Sequence, residues 1–276
     1  MDALVKLLFA LGLALAVITT KTAVADDVLH GQLGPDAEAA AIASAESVGK
    51  TLFRHDQAAW VATDAMRRIR GFKRNKSIRG WITVESTSGG IDVVFFGELE
   101  NANLAEFYRV AISSSNKLEG KPLIVSTPKP LEGRELAAAT ARMLAATAKF
   151  TPCGDSYNTV VLPLDGNIDR WSVYLIPGTK KRNVVPLGGT YRVDVELSTG
   201  EVQIRPYTKT CIELQNDPKA VGLMVTHLLD PVPTEVHVFW SMWADKAIYV
   251  ATPPHGNVWA VQGAAVRLVK RGAPES

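Results

Sequence analysis

The densest grouping of residues able to do chemistry is His227, Asp230, Glu235 and His237, two imidazoles and two carboxylates within 11 residues and interrupted by Pro231 and Pro233. Two neutral imidazoles and a carboxylate around an open water position make the donor set of a hydrolytic zinc. Read as a strand, 234–240 puts Glu235 and His237 on one face and Val236, Val238 and Trp240 on the other. A reversal at Pro231/Pro233 would then fold His227 back toward His237. The plainer reading makes Asp230-Pro231 a turn starter and leaves Glu235 and His237 on the wet face of a half-buried strand. The spacing matches none of the zinc-helix signatures. The plainer reading is therefore the expectation, with a metal-dependent hydrolase as the alternative.

The chain has two cysteines, Cys153 and Cys211, on either side of strand-like segments at 157–163, 170–176, 190–197 and 201–207. A thiol nucleophile at Cys153 would need a base in contact and a lowered pKa, and no local signature announces either. A Cys153–Cys211 disulfide closing the sheet unit is the expectation, and no residue is assigned a catalytic role. GxGxxG, GxxxxGK[ST] and GxSxG motifs are all absent, which removes the common dinucleotide, phosphate-loop and serine-hydrolase readings. No cofactor is expected, zinc being the alternative.

Two further groups stand out. His55 falls on the apolar face of a helical pattern, with Asp56, Trp60, Thr63 and Arg67 on the neighbouring stripe. Adjacent helical residues point about 100° apart and cannot form a dyad. His55 reads instead as a core histidine bonded to a strand or loop. Arg67, Arg68, Arg70, Lys73, Arg74, Lys76 and Arg79 place seven positive charges in 13 residues with no acid between them. They read either as a solvated cationic helix end or as a surface for an anionic envelope partner. With a net charge of only +2, nothing global points to nucleic acid.

Chemistry needs elements to position it. Residues 4–19 are almost wholly apolar apart from Lys6, lie close to the free amine, and lead to Ala23-Val24-Ala25 and Asp26-Asp27. That pattern predicts a signal peptide cleaved near Ala25 and a periplasmic or secreted protein with no later membrane-spanning segment. Pro35, Asp36 and Glu38 open a long amphipathic helix carrying Ile42, Val48, Leu52, Ala59 and Met66 on one face. Gly49 is a break or a close-packing point within it. From 80 onward a period of two predicts strands at 81–85, 91–97 and 106–112, with a short one at 123–125. Pro128 and Pro130 mark a seam. A second helix follows over 132–149, then the cysteine-bounded sheet and a C-terminal meander at 234–240, 247–252, 257–261 and 265–269.

The expected class is α+β, two helices with largely antiparallel sheet and a disulfide-stapled C-terminal half. The expected divisions are 1–25 (leader), 26–128 (helix plus meander) and 129–276 (helix plus β-rich region), with one continuous domain over the last two as the alternative. The strings CysGlyAspSerTyrAsnThrValValLeuPro (153–163), TrpSerValTyrLeuIlePro (171–177), GlyGlyThrTyrArgValAspVal (188–195) and ThrHisLeuLeuAspProValProThrGluValHisValPhe (226–239) resemble an uncharacterised family of exported bacterial proteins. The resemblance implies an exported address and carries no activity or site residue. The functional expectation is a soluble, exported, non-enzymatic binding or envelope-associated accessory factor.

Overall fold

A computed structural model describes residues 33–99 and 103–272, so the expected leader lies outside the described residues. The fold is α+β, with mostly antiparallel sheets and three helices among the described residues. Helix α1 (Pro35–Arg67) starts where Pro35 supplies a helical φ at no hydrogen-bond cost and Asp36 and Glu38 face the dipole. Its buried stripe runs Ala45, Gly49, Leu52, Ala59, Ala62 and Met66. The first sheet follows as a meander in chain order: β1 (Ile78–Glu85), β2 (Ile91–Glu98), β3 (Leu104–Ile112) and β4 (Leu118–Pro130). β4 is longer than the three-residue strand expected. It forms one edge of the sheet, where Pro128 and Pro130 need not donate to a neighbour, so these prolines finish a strand still paired at Pro130↔Ala105.

Helix α2 (Gly133–Ala145) leads to the second sheet, whose order is β5 (Tyr157–Pro163), β6 (Arg170–Pro177), β8 (Tyr191–Glu196) and β9 (Glu201–Pro206). A two-residue strand β7 (Val184–Val185) pairs separately with β10 (Leu214–Gln215). The third sheet contains β11 (Leu223–Thr226), β12 (Ile248–Thr252), β13 (Asn257–Gln262) and β14 (Ala265–Lys270). β11 runs parallel to β12, and helix α3 (Glu235–Ala244) lies between them in the chain.

Helix α3 overturns the strand expected at 234–240 and raises the helix count from two to three. The physical reason is burial on every side: Glu235 through Ser241 are all buried, so no polar stripe reveals a 3.6-residue period. Val236 and Val238 then mimic a strand through their branching. The missed start signal was Thr234 after Pro233. Its backbone N–H donates to His237 Nδ1 at 3.1 Å, tying the first turn closed.

Helix α1 is the spine. Its C-terminal half packs on the first sheet through Ala58, Ala62 and Met66 against Val93, Phe95 and Val110. Its N-terminal half meets α3 and the third sheet around Leu52, Val238 and Phe239. Gly49 is the close-packing point, since a Cβ there would stand 2.5 Å from Val238 Cβ. Helix α2 fills the space between the first two sheets, with Ala138, Ala139 and Ala141 among Val94, Val161, Val173 and Val193.

Cys153 and Cys211 are bonded, with Cα atoms 5.4 Å apart, inside the range an unforced disulfide needs. The bond sits against Gly189, at φ +83, where a Cβ would lie 2.6 Å from Cys153 Sγ. Of the three four-stranded sheets, the closed loop holds only the second. The third sheet follows it in the chain, so the staple belongs to the middle of the fold, not to its whole C-terminal half.

Candidate functional site

The second sheet has two unlike faces. One carries Val161, Val173, Val193 and Ile204 and packs on α2. The register puts Tyr174, Arg192 and Arg205 in one row of the other face, and Ser172, Asp194 and Gln203 in the next. Two arginines thus stand directly opposite across β8 and β9, an arrangement that repels unless acids compensate. Three acids do. Arg192 donates to Asp194 at 2.9 Å and lies 3.6 Å from Glu235. Arg205 donates to Asp230 at 2.5 Å and stacks 4.6 Å above the Tyr207 ring. Glu235, at the first position of α3, accepts from Tyr174 at 3.0 Å and from Tyr207.

A purely solvated face would not be roofed, and this one is. The N-terminal half of α1 (Ala37, Ala41, Ala45 and Val48) and the Pro231–Pro233 corner stand over it, leaving a cavity of about 520 Å³. The floor is charged and the roof apolar. Burial, and then the nearby Glu235 carboxylate, push the Tyr174 and Tyr207 hydroxyls up, so both stay protonated donors. Burial pushes the Asp230 carboxyl up as well. The His227 hydrogen bond and the Arg205 charge outweigh that and hold it below the ordinary carboxylate value.

The four residues singled out for a metal lie at or behind this floor, in different roles. Asp230 and Glu235 line the cavity. His227, buried, reaches Asp230 through Nε2 at 2.9 Å, and its ring meets the His237 ring edge-on at 4.6 Å. Burial, reinforced by His227, holds the His237 pKa well below the ordinary histidine value. Its Nδ1 takes part in the helix start, and its Nε2 has no hydrogen-bond partner. Glu235 turns instead to the tyrosines. His227 and Asp230 therefore partner each other, while Glu235 and His237 are held by the tyrosines and by the start of α3. Among the described residues no three His, Cys, Asp or Glu side chains are grouped to hold a metal ion, and no step is derived through one.

The basic run lies toward the opposite end of α1, through a 3₁₀ turn at Phe72–Arg74 and into β1. All seven of its side chains are exposed. Arg67 pairs with Asp64 and Arg79 with Glu98; Arg68, Arg70, Lys73, Arg74 and Lys76 form no ion pair among the described residues. His55 is bonded to a strand, Nδ1 to Thr83 Oγ1 at 2.7 Å. Among the described residues no helix is long and apolar enough to cross a membrane.

Sequence reasoning missed Tyr174, Arg192, Arg205 and Tyr207. Their alternation with valines looked like an ordinary wet strand face, and the roof comes from a helix more than 100 positions away. The one available signal was two arginines at facing positions of a tight hairpin. Comparison with protein-family models, curated proteins and solved structures found no match for this chain.

Proposed function

We propose that this is an exported, non-enzymatic binding protein whose ligand enters the cavity between α1 and the charged face of the second sheet. One observation carries the reading: a sheet face with two arginines and three carboxylates is covered by an apolar helix without being filled. Removing charges from water is costly, and mutual pairing repays that cost only in part. A core built for stability alone would place well-packed apolar groups there. The charges are already paired with one another, so the floor offers hydrogen-bond donors and acceptors of both kinds. The matching ligand is a small amphiphile with an uncharged polar head against Arg192, Arg205 and Asp230 and an apolar part under Ala41 and Ala45.

The disulfide supports an oxidising compartment and so an exported address. The cavity presents no free nucleophile paired with a base, since each ionisable group on its floor has a fixed structural partner, and this favours binding over catalysis. Titration of the purified protein with a monoacylglycerol, followed by native mass spectrometry, tests the proposal. One-to-one binding should appear and be lost in Ala41→Trp, which fills the roof, while folding is kept. Equal binding by wild type and Ala41→Trp would overturn it.

A further inference from the structure

A second cavity, of about 430 Å³, opens where the middle of α1 crosses α3 beside the ends of β5 and β6. Aromatic rings dominate its walls. Phe53 and Phe239 meet edge-on with centroids 6.3 Å apart, and Trp240 meets Trp243 at 5.3 Å. Trp60 and Trp243 stand at the rim, 59% and 40% exposed, although indoles of this size are normally well covered. Asp56 is the single ionisable side chain lining the cavity among the described residues, and it is only 6% exposed.

The surroundings of Asp56 are unusual for a buried carboxylate. Buried charges are normally paired with an opposite charge. Asp56 makes no ion pair among the described residues. Among the described residues its two oxygens accept only from the Asn158 amide at 3.3 Å and the Gln57 amide at 3.4 Å, long contacts near the limit of a useful hydrogen bond. Groups from every element around it are uncharged: Gln57 and Trp60 from α1, Asn158 from β5, Thr179 beyond β6, and Trp243 from α3. His55, next in the chain, is turned to Thr83 and Glu85. Among the described residues nothing in this pocket neutralises the carboxylate.

We propose that this pocket binds a small organic cation, an alkylammonium or quaternary ammonium group, with Asp56 as its counter-ion and the Trp60 and Trp243 rings against its alkyl surface. Ring faces attract a desolvated cation, and a rim of two indoles around one carboxylate is the arrangement such a group needs. A metal cation is disfavoured because one carboxylate and two amides leave too few oxygen ligands. A sugar would use the same rings and amides but would not need the carboxylate charge. The site lies apart from the arginine-floored cavity and does not depend on the function proposed for it. Burial, only partly offset by the Asn158 and Gln57 hydrogen bonds, pushes the Asp56 carboxyl up to about 6, so its charge is present at neutral pH and mostly lost at pH 5.

Three of the lining residues are tryptophans, so their fluorescence reports occupancy directly. Choline and n-butylammonium are titrated at pH 7.5 and constant ionic strength, beside 3,3-dimethyl-1-butanol, the uncharged carbon analogue of choline, and glucose. At least one of the two ammonium compounds should quench saturably, with the uncharged analogue at least about tenfold weaker. Affinity should fall about tenfold at pH 5, following the ionised fraction of Asp56. Asp56→Asn should reproduce that loss at pH 7.5, and Trp243→Ala at the exposed rim should weaken binding in a protein that still folds. Equal binding of the uncharged analogue, glucose binding that survives Asp56→Asn, or no saturable binding of either ammonium compound would each overturn the proposal.

Discussion

The first and second sheets are each four-stranded antiparallel arrangements preceded by a helix, yet they use half-buried arginine in opposite ways. On the first, Arg109 of β3 gathers Asp92, Glu106 and Glu135 within 3.2 Å, and Glu135 belongs to the first turn of α2. That cluster ties a strand to the helix packed on it. On the second sheet, Arg192 and Arg205 face a roof that leaves about 520 Å³ open. In the first sheet the acids come from the sheet and its neighbouring helix. In the second, Asp230 and Glu235 arrive from the third unit of the chain, so the floor exists only once three separate elements meet. Similar ionic chemistry thus fastens one sheet and furnishes the other.

The contrast can be broken experimentally, beginning with the strongest constraint. Of these two sheets, only the second is inside the covalent loop, whose ends are 58 positions apart. Cys153→Ser or Cys211→Ser should each cost roughly 4 kcal/mol at most, lowering the melting temperature alike, with the double variant no worse than either single one. Scanning calorimetry checks this, and equal melting of oxidised and reduced protein would remove the staple from the account.

Next come the two ionic clusters. Glu235→Ala strands two tyrosine hydroxyls and removes a carboxylate beside Arg192, which should cost about 2–3 kcal/mol. Glu135→Ala, in the more open cluster, should cost about 1 kcal/mol, because Asp92 and Glu106 still hold Arg109. Urea midpoints of the two variants measure the difference. Equal losses would show that water already relieves the second cluster and that the two are not distinct.

The last test separates neighbours on α1. Burial lowers His55 to about 4 against an ordinary 6.5, with Glu85 opposing, and raises Asp56 to about 6 against 3.8. The stability contributed by His55 is complete above pH 6.5 and is lost as pH falls toward 4. That contributed by Asp56 is complete below pH 3.8 and is lost as pH rises through 6. The slopes oppose one another across the same window. Asp56→Asn removes one of them, so its stability relative to wild type should rise by about 2 kcal/mol between pH 4 and 7.5. A constant difference across that range would show that Asp56 does not titrate as its burial requires.

Much of this architecture was legible in the chain because its signals are local. Pro35 with Asp36 and Glu38 marks one helix start, and the alternation at 91–97 and 170–176 marks strands whose two faces meet different surroundings. The cysteines, alone in the sequence and flanking four such strands, pair as their number suggests. Glu235–Ala244 was illegible for a physical reason: a helix buried all round loses the polar stripe that would announce its period. The arginine floor stayed hidden because polar residues at alternate strand positions look the same under water or under a helix. Asp56 and Trp60, four apart on α1, shared a visible stripe, but their aromatic neighbours on α3 were read into a strand.

The covalent loop also alters what a protease could do to this protein. Lys180 and Arg182 are exposed in the turn between β6 and β7, inside the span closed by Cys153 and Cys211. A cut there divides the backbone into two chains, one ending in that turn and holding Cys153, the other beginning in it and holding Cys211. Neither piece is released while the sulfurs remain joined, and β6 and β8 still pair across the gap. A once-nicked molecule therefore stays a single particle, and its dismantling is governed by thiols as well as by peptidases.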